Sequence, residues 1–446
     1  MKKTLIKNSR LVNEGEVQEA DLFIKNGRIE KIDRHLSQRD NETTVIDAEG
    51  KFLLPGIIDD QVHFREPGLT QKATIHSESR AAVAGGITSY IEQPNTVPQA
   101  LTLDLLEDKY KIAAKDSLAN YAFNMGASNN NLEELKKLDP TKIPGVKVFM
   151  GSSTGNMLVD DLKALEGIFS NVSIPVITHC EDEATIKANL ARFEAKYGDA
   201  IPIQYHPEIR SREACFKSSS MAVELAKKFN TRLHVYHIST AEECDLFDNE
   251  LPLEEKRITA EACIHHLWFN QEQYQKKGTF IKWNPAVKAE SDRQAIFEAV
   301  LDNRIDVIAT DHAPHTLAEK QQVYTKAPSG GPLVQHALPA MMEFVRDEKM
   351  TIAQLVTKMC HNPAILFNIK ERGFIREGYH ADLVLLDPSR PWRVSKKNLL
   401  YKCGWSPFED TTFRARVSHT FVNGHLVYDN GKVIEAPAAQ RLRFER

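Results

Sequence analysis

No window of this 446-residue chain holds the roughly 18 successive apolar residues needed to cross a bilayer, so no membrane partner is expected. Basic blocks and stripes are missing too. With a net charge of -4, nothing calls for nucleic acid. Cysteine is sparse and scattered: Cys180, Cys215, Cys244, Cys263, Cys360 and Cys403 include no C-x-x-C pair. That argues against a zinc ribbon or a secreted disulfide framework and fits free thiols in a reducing compartment. The start, Met1-Lys2-Lys3-Thr4-Leu5-Ile6-Lys7-Asn8, is charged but leads into no apolar core, so a signal peptide is not expected and the cytoplasm is the default location. Internal repeats and low-complexity tracts are also lacking. What remains is ordinary soluble composition, 42% hydrophobic and 26% charged, in a chain long enough for a barrel with additions.

Two β-rich ends flank a long alternating middle. Thr4–Val12, Asp21–Lys25 and Arg28–Ile32 alternate apolar and polar residues around the turn signal Asn26-Gly27, and Val45–Ala48 and Lys51–Leu54 flank another glycine turn. Ala381–Leu386, Val417–Val422 and His425–Tyr428 repeat the texture around Asn423-Gly424. Both ends are therefore expected to build one discontinuous β-sandwich domain, residues 1–55 plus 366–446. In residues 56–365, strand-like runs at Gly56–Phe64, Ile87–Ile91, Leu118–Phe123, Gly145–Phe149, Ile174–Thr178, Leu233–His237, Arg257–Ala260 and Ile305–Ala309 are separated by helix-like stretches such as Ser77–Ala84, Asp160–Ser170, Arg212–Lys228 and Ser291–Asn303. Eight runs fit an α/β fold of the (β/α)8 TIM-like barrel type better than a doubly wound sheet, although the pattern alone leaves both open. Thr316–Gly331 has no clear period and reads as a long mobile loop of the kind that forms lids.

Chemistry-bearing residues sit in or at the ends of five runs: His63, Lys147, His179, His237 and Asp311. In a parallel barrel the strand C-termini meet at one mouth, so these side chains converge. Each alone has an ordinary explanation: a structural histidine, a lysine reaching for solvent, an aspartate capping a helix. Five on five strands make five separate explanations a poor account. Three imidazoles and a carboxylate suit Zn²⁺ or a similar ion, which lowers the pKa of bound water toward roughly 7. A lysine ammonium there would be repelled, whereas a lysine carbamate would be an anionic bridging ligand.

The chain resembles the amidohydrolase superfamily and, within it, the dihydroorotase family. The motifs are His63-Phe64-Arg65-Glu66-Pro67-Gly68-Leu69-Thr70, Ser79-Arg80-Ala81-Ala82-Val83-Ala84-Gly85-Gly86-Ile87-Thr88, Gln93-Pro94-Asn95-Thr96-Val97-Pro98, Thr259-Ala260-Glu261 with His265-His266-Leu267, Asn284-Pro285, Thr310-Asp311-His312-Ala313-Pro314-His315 and Gly378-Tyr379-His380-Ala381-Asp382-Leu383-Val384. They span nearly the whole chain. The resemblance implies metal ligation by His63, carbamylated Lys147, His179, His237 and Asp311, with one or two zinc ions per subunit and Asp311 as proton shuttle. It places Arg65, Asn95 and His315 on a substrate carboxylate and Asn284 near the substrate ring. The implied reaction is reversible cyclisation of N-carbamoyl-L-aspartate to L-dihydroorotate in de novo pyrimidine synthesis, through metal-activated hydroxide. The partner is then a small molecule, with a homo-oligomer left open. Arg65 is the discriminator of substrate, because guanidinium suits a planar carboxylate and the hydantoinase-like relatives generally lack it.

One position departs from the pattern. A metal hydrolase would carry histidine at 61 and 63, and this chain carries Gln61, whose neutral amide oxygen is a weaker zinc ligand than imidazole. Strand alternation puts Asp60 on the opposite face and Asp59 one pleat deeper. Three readings follow: an active dihydroorotase with one weakened metal position, a non-catalytic dihydroorotase-like binding or scaffold protein, or another cyclic amidohydrolase acting on allantoin or a hydantoin.

Overall fold

The computed structural model describes residues 3–38, 40–151 and 157–446. Its architecture is a (β/α)8 barrel joined to a β-sandwich drawn from both ends of the chain. Strands β1 (Lys3–Asn13), β2 (Glu16–Lys25), β3 (Arg28–Asp33), β4 (Thr43–Asp47) and β5 (Phe52–Pro55) come from the first end. The barrel strands are β6 (Ile57–Val62), β7 (Ile87–Glu92), β8 (Asn120–Phe123) with its continuation β9 (Met125–Gly126), β10 (Val146–Phe149), β11 (Val176–His179), β12 (Leu233–Val235), β13 (Ile258–Cys263) and β14 (Val307–Ala309). From the other end come β15 (Leu383–Asp387), β16 (Trp392–Arg393), β17 (Thr412–Phe413), β18 (Arg416–Val422), β19 (His425–Asp429) and β20 (Lys432–Val433).

Barrel pairing is parallel throughout, β6-β7-β8 and β9 through β14. The ring closes where β14 meets β6. Asp59 accepts from Thr310 N at 3.2 Å and Thr310 Oγ1 at 2.6 Å, and His63 N donates to His312 O at 2.7 Å. Helices form where caps and apolar periodicity agree. Ile75–Ala84 starts at Thr74, whose hydroxyl accepts from Ser77 N, and Arg212–Phe229 starts at Ser211 and ends at left-handed Asn230. The base of the barrel is filled by Ile58, Ile91, Ala122, Ile177 and Val307 together with Leu442 and Phe444 from the far end of the chain.

The nine-stranded sheet runs β20-β19-β18-β15-β5-β1-β2-β3, with β4 also on β1. β5 lies between β1 and β15, so residues from both ends alternate within one sheet. Asp382 ties this sheet to the barrel. Its carboxylate pairs with Arg372, accepts from Asn423 N at 2.7 Å, and accepts from Asn120 Nδ2 on β8 at 3.1 Å.

Two expectations need correction. Thr316–Gly331 is not without structure: Leu317–Lys320 is a helical turn capped by Thr316, and buried Lys320 donates to the carbonyls of Pro328 and Gly330 at 2.9 and 2.8 Å. Asp60 does not face out of the barrel. The β6 register shifts between Asp59 and Val62, and the Asp60 carboxylate reaches 3.2 Å from His234 Nε2 on β12. Those strands are not neighbours, so the contact crosses the barrel interior.

Replacing Asp382 with alanine leaves the buried Arg372 guanidinium without its carboxylate and with Gln440 Oε1 as its remaining acceptor, at an expected cost of about 3–5 kcal/mol in chemical denaturation. An unchanged unfolding midpoint would show that this pair does not hold the sheet to the barrel.

Candidate functional site

A cavity of about 480 Å³ opens at the C-terminal ends of the barrel strands, and Gln61, His63, Arg65, Asn95, Lys147, His179, His237, Asn284, Asp311 and His315 all line it. Sequence reading therefore named side chains that the fold brings together. Three of them hold left-handed backbone conformations: Arg65 at φ 67°, His237 at φ 42° and Asp311 at φ 47°. Such conformations cost on the order of 1–3 kcal/mol each in non-glycine residues and persist where surrounding contacts enforce them.

The imidazoles are oriented by their outer nitrogens. His179 Nε2 donates to Glu181 Oε2 at 2.9 Å, which leaves Nδ1 as a lone pair 3.0 Å from His237 Nε2. Burial would raise the Glu181 carboxyl, but Arg210 at 2.5 Å and His179 hold it down at about 2. A carboxylate behind a histidine fixes its tautomer, an arrangement typical of metal-ligating imidazole. His63 Nδ1 donates to Asn95 Oδ1 at 2.8 Å, leaving Nε2 as a lone pair 3.1 Å from Asp311 Oδ1. Burial holds the imidazoles of His63 and His237 below the usual range, so both are neutral and able to ligate.

Lys147 Nζ is fully buried and finds no hydrogen-bond partner among the described residues; it stands 4.0 Å from the Tyr236 ring centroid. Burial draws its ammonium down to about 8. His179 Nδ1 within 3.0 Å of His237 Nε2, His63 Nε2 within 3.1 Å of Asp311 Oδ1 and an orphaned lysine fit a divalent metal and a carbamylated Lys147. Gln61 contributes differently. Its Oε1 lies 3.4 Å from Cys263 Sγ on β13, across the barrel interior, while that thiol donates to Glu261 Oε1 at 3.1 Å.

The opposite wall is cationic. Arg65 Nε donates to Pro314 O at 3.0 Å, and Lys72 Nζ donates to His315 Nδ1 at 3.0 Å. With Nδ1 accepting, the neutral His315 ring carries its proton on Nε2 and donates it to Ser329 O at 3.0 Å. That nitrogen cannot also accept from Arg65 Nη2, 3.1 Å away. One guanidinium N–H is thus left to seek an anion. Ser329 Oγ also donates to Asn284 Oδ1 at 2.9 Å, tying the segment after His315 to the cavity wall.

Sequence reasoning missed Lys72, Ser329, Glu181 and Arg210. Glu181 carried a signal, two residues past His179 in His179-Cys180-Glu181-Asp182. Lys72 and Arg210 lie in segments with no motif.

A model of the amidohydrolase family matches residues 52–427. A dihydroorotase of Methanosarcina acetivorans is 32% identical over 445 residues, covering 97% of this chain and 93% of its own length. A dihydroorotase of Carboxydothermus hydrogenoformans is 34% identical over 431 residues, with 95% and 97% covered. Among solved structures, the L-hydantoinase (dihydropyrimidinase) of Arthrobacter aurescens superposes with a TM-score of 0.94 at 26% identity, covering 99% of this chain and 100% of that one. The D-hydantoinase (dihydropyrimidinase) of a Thermus species gives 0.90 at 22% identity with 99% of each covered, a likeness of fold. Among the described residues, no helix is long and apolar enough to cross a membrane.

Only the neutral amine of Lys147 adds CO₂, forming the N–C bond and releasing one proton. Protein supplied with ¹³C-bicarbonate should therefore show a carbamate carbon signal that grows as pH rises through about 8 and disappears in Lys147→Ala. A signal that persists in the variant would place the carbamate elsewhere.

Proposed function

The chain belongs to the amidohydrolase family, and from that premise we propose that it is a dihydroorotase, interconverting N-carbamoyl-L-aspartate and L-dihydroorotate. The observation that carries the substrate is the Arg65 guanidinium, buried in the cavity wall with one N–H lacking an acceptor at His315. A carboxylate is the planar anion that a guanidinium meets with two parallel hydrogen bonds. Burial lowers the Arg65 pKa only to about 10, so the group keeps its charge at neutral pH.

His63, Lys147 as carbamate, His179, His237 and Asp311 would hold the metal, with zinc as the proposed ion. Lys147, His179 and His237 form the firmer position. Gln61 leaves the position served by His63 and Asp311 short of one imidazole. When bound, the metal supplies Lewis acidity to the substrate carbonyl and to the attacking water.

The chain's own residues do the rest. Arg65 grips the substrate carboxylate, and Asn95, whose Oδ1 is committed to His63, offers its amide N–H groups to the same end. Asn284 positions the ring. In the hydrolytic direction Asp311 takes the proton of the attacking water and delivers it to the leaving ring nitrogen as the C–N bond breaks. Ring closure runs the same transfers in reverse: the carbamoyl nitrogen attacks the side-chain carboxyl carbon, and one water leaves. Ser329 and Gly330 complete the cavity lining beside Asn284.

Hydantoinase activity is the second reading, because the superposed structures carry that name. Purified protein with zinc should close N-carbamoyl-L-aspartate to dihydroorotate and leave hydantoin and allantoin largely untouched. Turnover of hydantoin alone would sink the assignment. Arg65→Met should weaken kcat/KM for the carboxylate substrate by about 30-fold or more, the effect of removing one partner of a buried charge pair. Gln61→His should raise the metal content per subunit; an unchanged metal count would mean that residue 61 is not at a ligand position.

A further inference from the structure

Beneath the cavity floor the barrel encloses a second polar set. Asp60 on β6, His234 on β12 and Glu261 on β13 are each fully buried. One ligand-capable atom from each lies within 4.8 Å of the other two.

Their hydrogen bonding leaves the inward-facing atoms unmatched. The Thr259 hydroxyl spends its proton on Leu233 O at 3.1 Å, so at 2.8 Å it accepts from His234 Nδ1. His234 Nε2 then faces Asp60 Oδ2 at 3.2 Å, without hydrogen-bond geometry. Both oxygens of the Asp60 carboxylate lack a donor. The two nearby donors, the Tyr236 hydroxyl at 2.6 Å and Gln93 Nε2 at 3.3 Å, go to the Asp60 main-chain oxygen instead. Glu261 receives His237 N at 3.0 Å and the Cys263 thiol at 3.1 Å on Oε1, while Oε2 has no partner. Carboxylate oxygens and an imidazole nitrogen, each without a hydrogen-bond partner among the described residues, thus converge on one point.

Buried carboxylates without donors are held by a cation or carry a proton. Burial and the nearby Asp60 push the Glu261 carboxyl well above the usual carboxylate range; a divalent ion would displace the proton held there and match the two carboxylates. One imidazole and two carboxylates are a donor set for a borderline first-row metal, and Thr259 behind His234 fixes the ligating tautomer. Around such an ion, tetrahedral ligand atoms stand about 3.4 Å apart, within reach of small side-chain shifts. The placement also suits this chain. Where residue 61 offers no imidazole, the adjoining residue 60 turns a carboxylate inward.

We propose that Asp60, His234 and Glu261 form a binding site for a divalent transition-metal ion, distinct from the cavity-lining donors above it. The site is linked to the cavity through Glu261, which accepts from the His237 backbone, so an ion there would stabilise the strand end that carries His237.

The test uses crystals of the full chain grown with zinc. Anomalous diffraction at the zinc edge should show a peak between the three side chains, and elemental analysis should show Asp60→Asn and His234→Gln each losing about one zinc per subunit relative to the unaltered protein. A peak confined to the cavity lined by His63, His179 and His237 would overturn the proposal and leave the assignment of activity standing, as would equal zinc in folded Asp60→Asn. Should the variants fail to fold, the anomalous map of the unaltered protein decides alone. Zinc at the lower position with no turnover of N-carbamoyl-L-aspartate would support this site while removing the proposed activity.

Discussion

Closure of the barrel between its first and last strands is the constraint on which everything else rests. The Asp59 carboxylate takes both the amide and the hydroxyl of Thr310, and the His63 amide reaches His312 O just beyond. These bonds flank His63 and Asp311, so the contact that shuts the ring also sets the 3.1 Å approach of His63 Nε2 to Asp311 Oδ1. A barrel left open at this seam would keep its other strand pairings and still lack one side of its site. Assembling the fold and assembling the chemistry are here one event.

The cavity divides by charge. Imidazoles, Lys147 and Asp311 occupy the strand ends, where donor atoms face one another at 3.0–3.1 Å. Arg65, Lys72 and His315 occupy the other wall, where Arg65 Nη2 faces a His315 nitrogen that cannot accept from it. The left-handed residues Arg65, His237 and Asp311 fall on both walls. Each turns the chain sharply at the point where a strand gives way to a loop, and their conformational cost is borne by the packed barrel below. An anion-binding wall facing a metal-suited wall matches a substrate with a carboxylate at one end and a reacting carbonyl at the other.

Much of this was legible in the sequence because it rests on period and position. Eight apolar runs, five of them with chemistry-bearing residues in or at their ends, favour a barrel with a mouth over a doubly wound sheet, and all eight lie on or overlap observed strands. The helix at Arg212–Phe229 could be read because its Ser211 cap and apolar spacing agree. Asp60 could not. Strict alternation sends it outward, and a register shift within β6, set by three-dimensional pairing, turns it in. Glu181, Arg210 and Lys72 act through contacts between segments distant in the chain, which no local pattern records. Thr316–Gly331 has no period because its order comes from Lys320 binding successive carbonyls, a lysine that in sequence looks like any surface charge.

The sheet in which β5 lies between β1 and β15, with Leu442 and Phe444 seated under the barrel, bears on the order of synthesis. As the chain leaves the ribosome, β1 to β5 emerge with one flank of their sheet exposed, and the barrel forms without its base. The sheet gap is not filled until more than three hundred further residues have been made, and the floor waits for more than one hundred residues after β14. The nascent protein must therefore carry an open sheet edge for most of its translation and an uncovered apolar floor near its end, which exposes the unfinished chain to edge pairing.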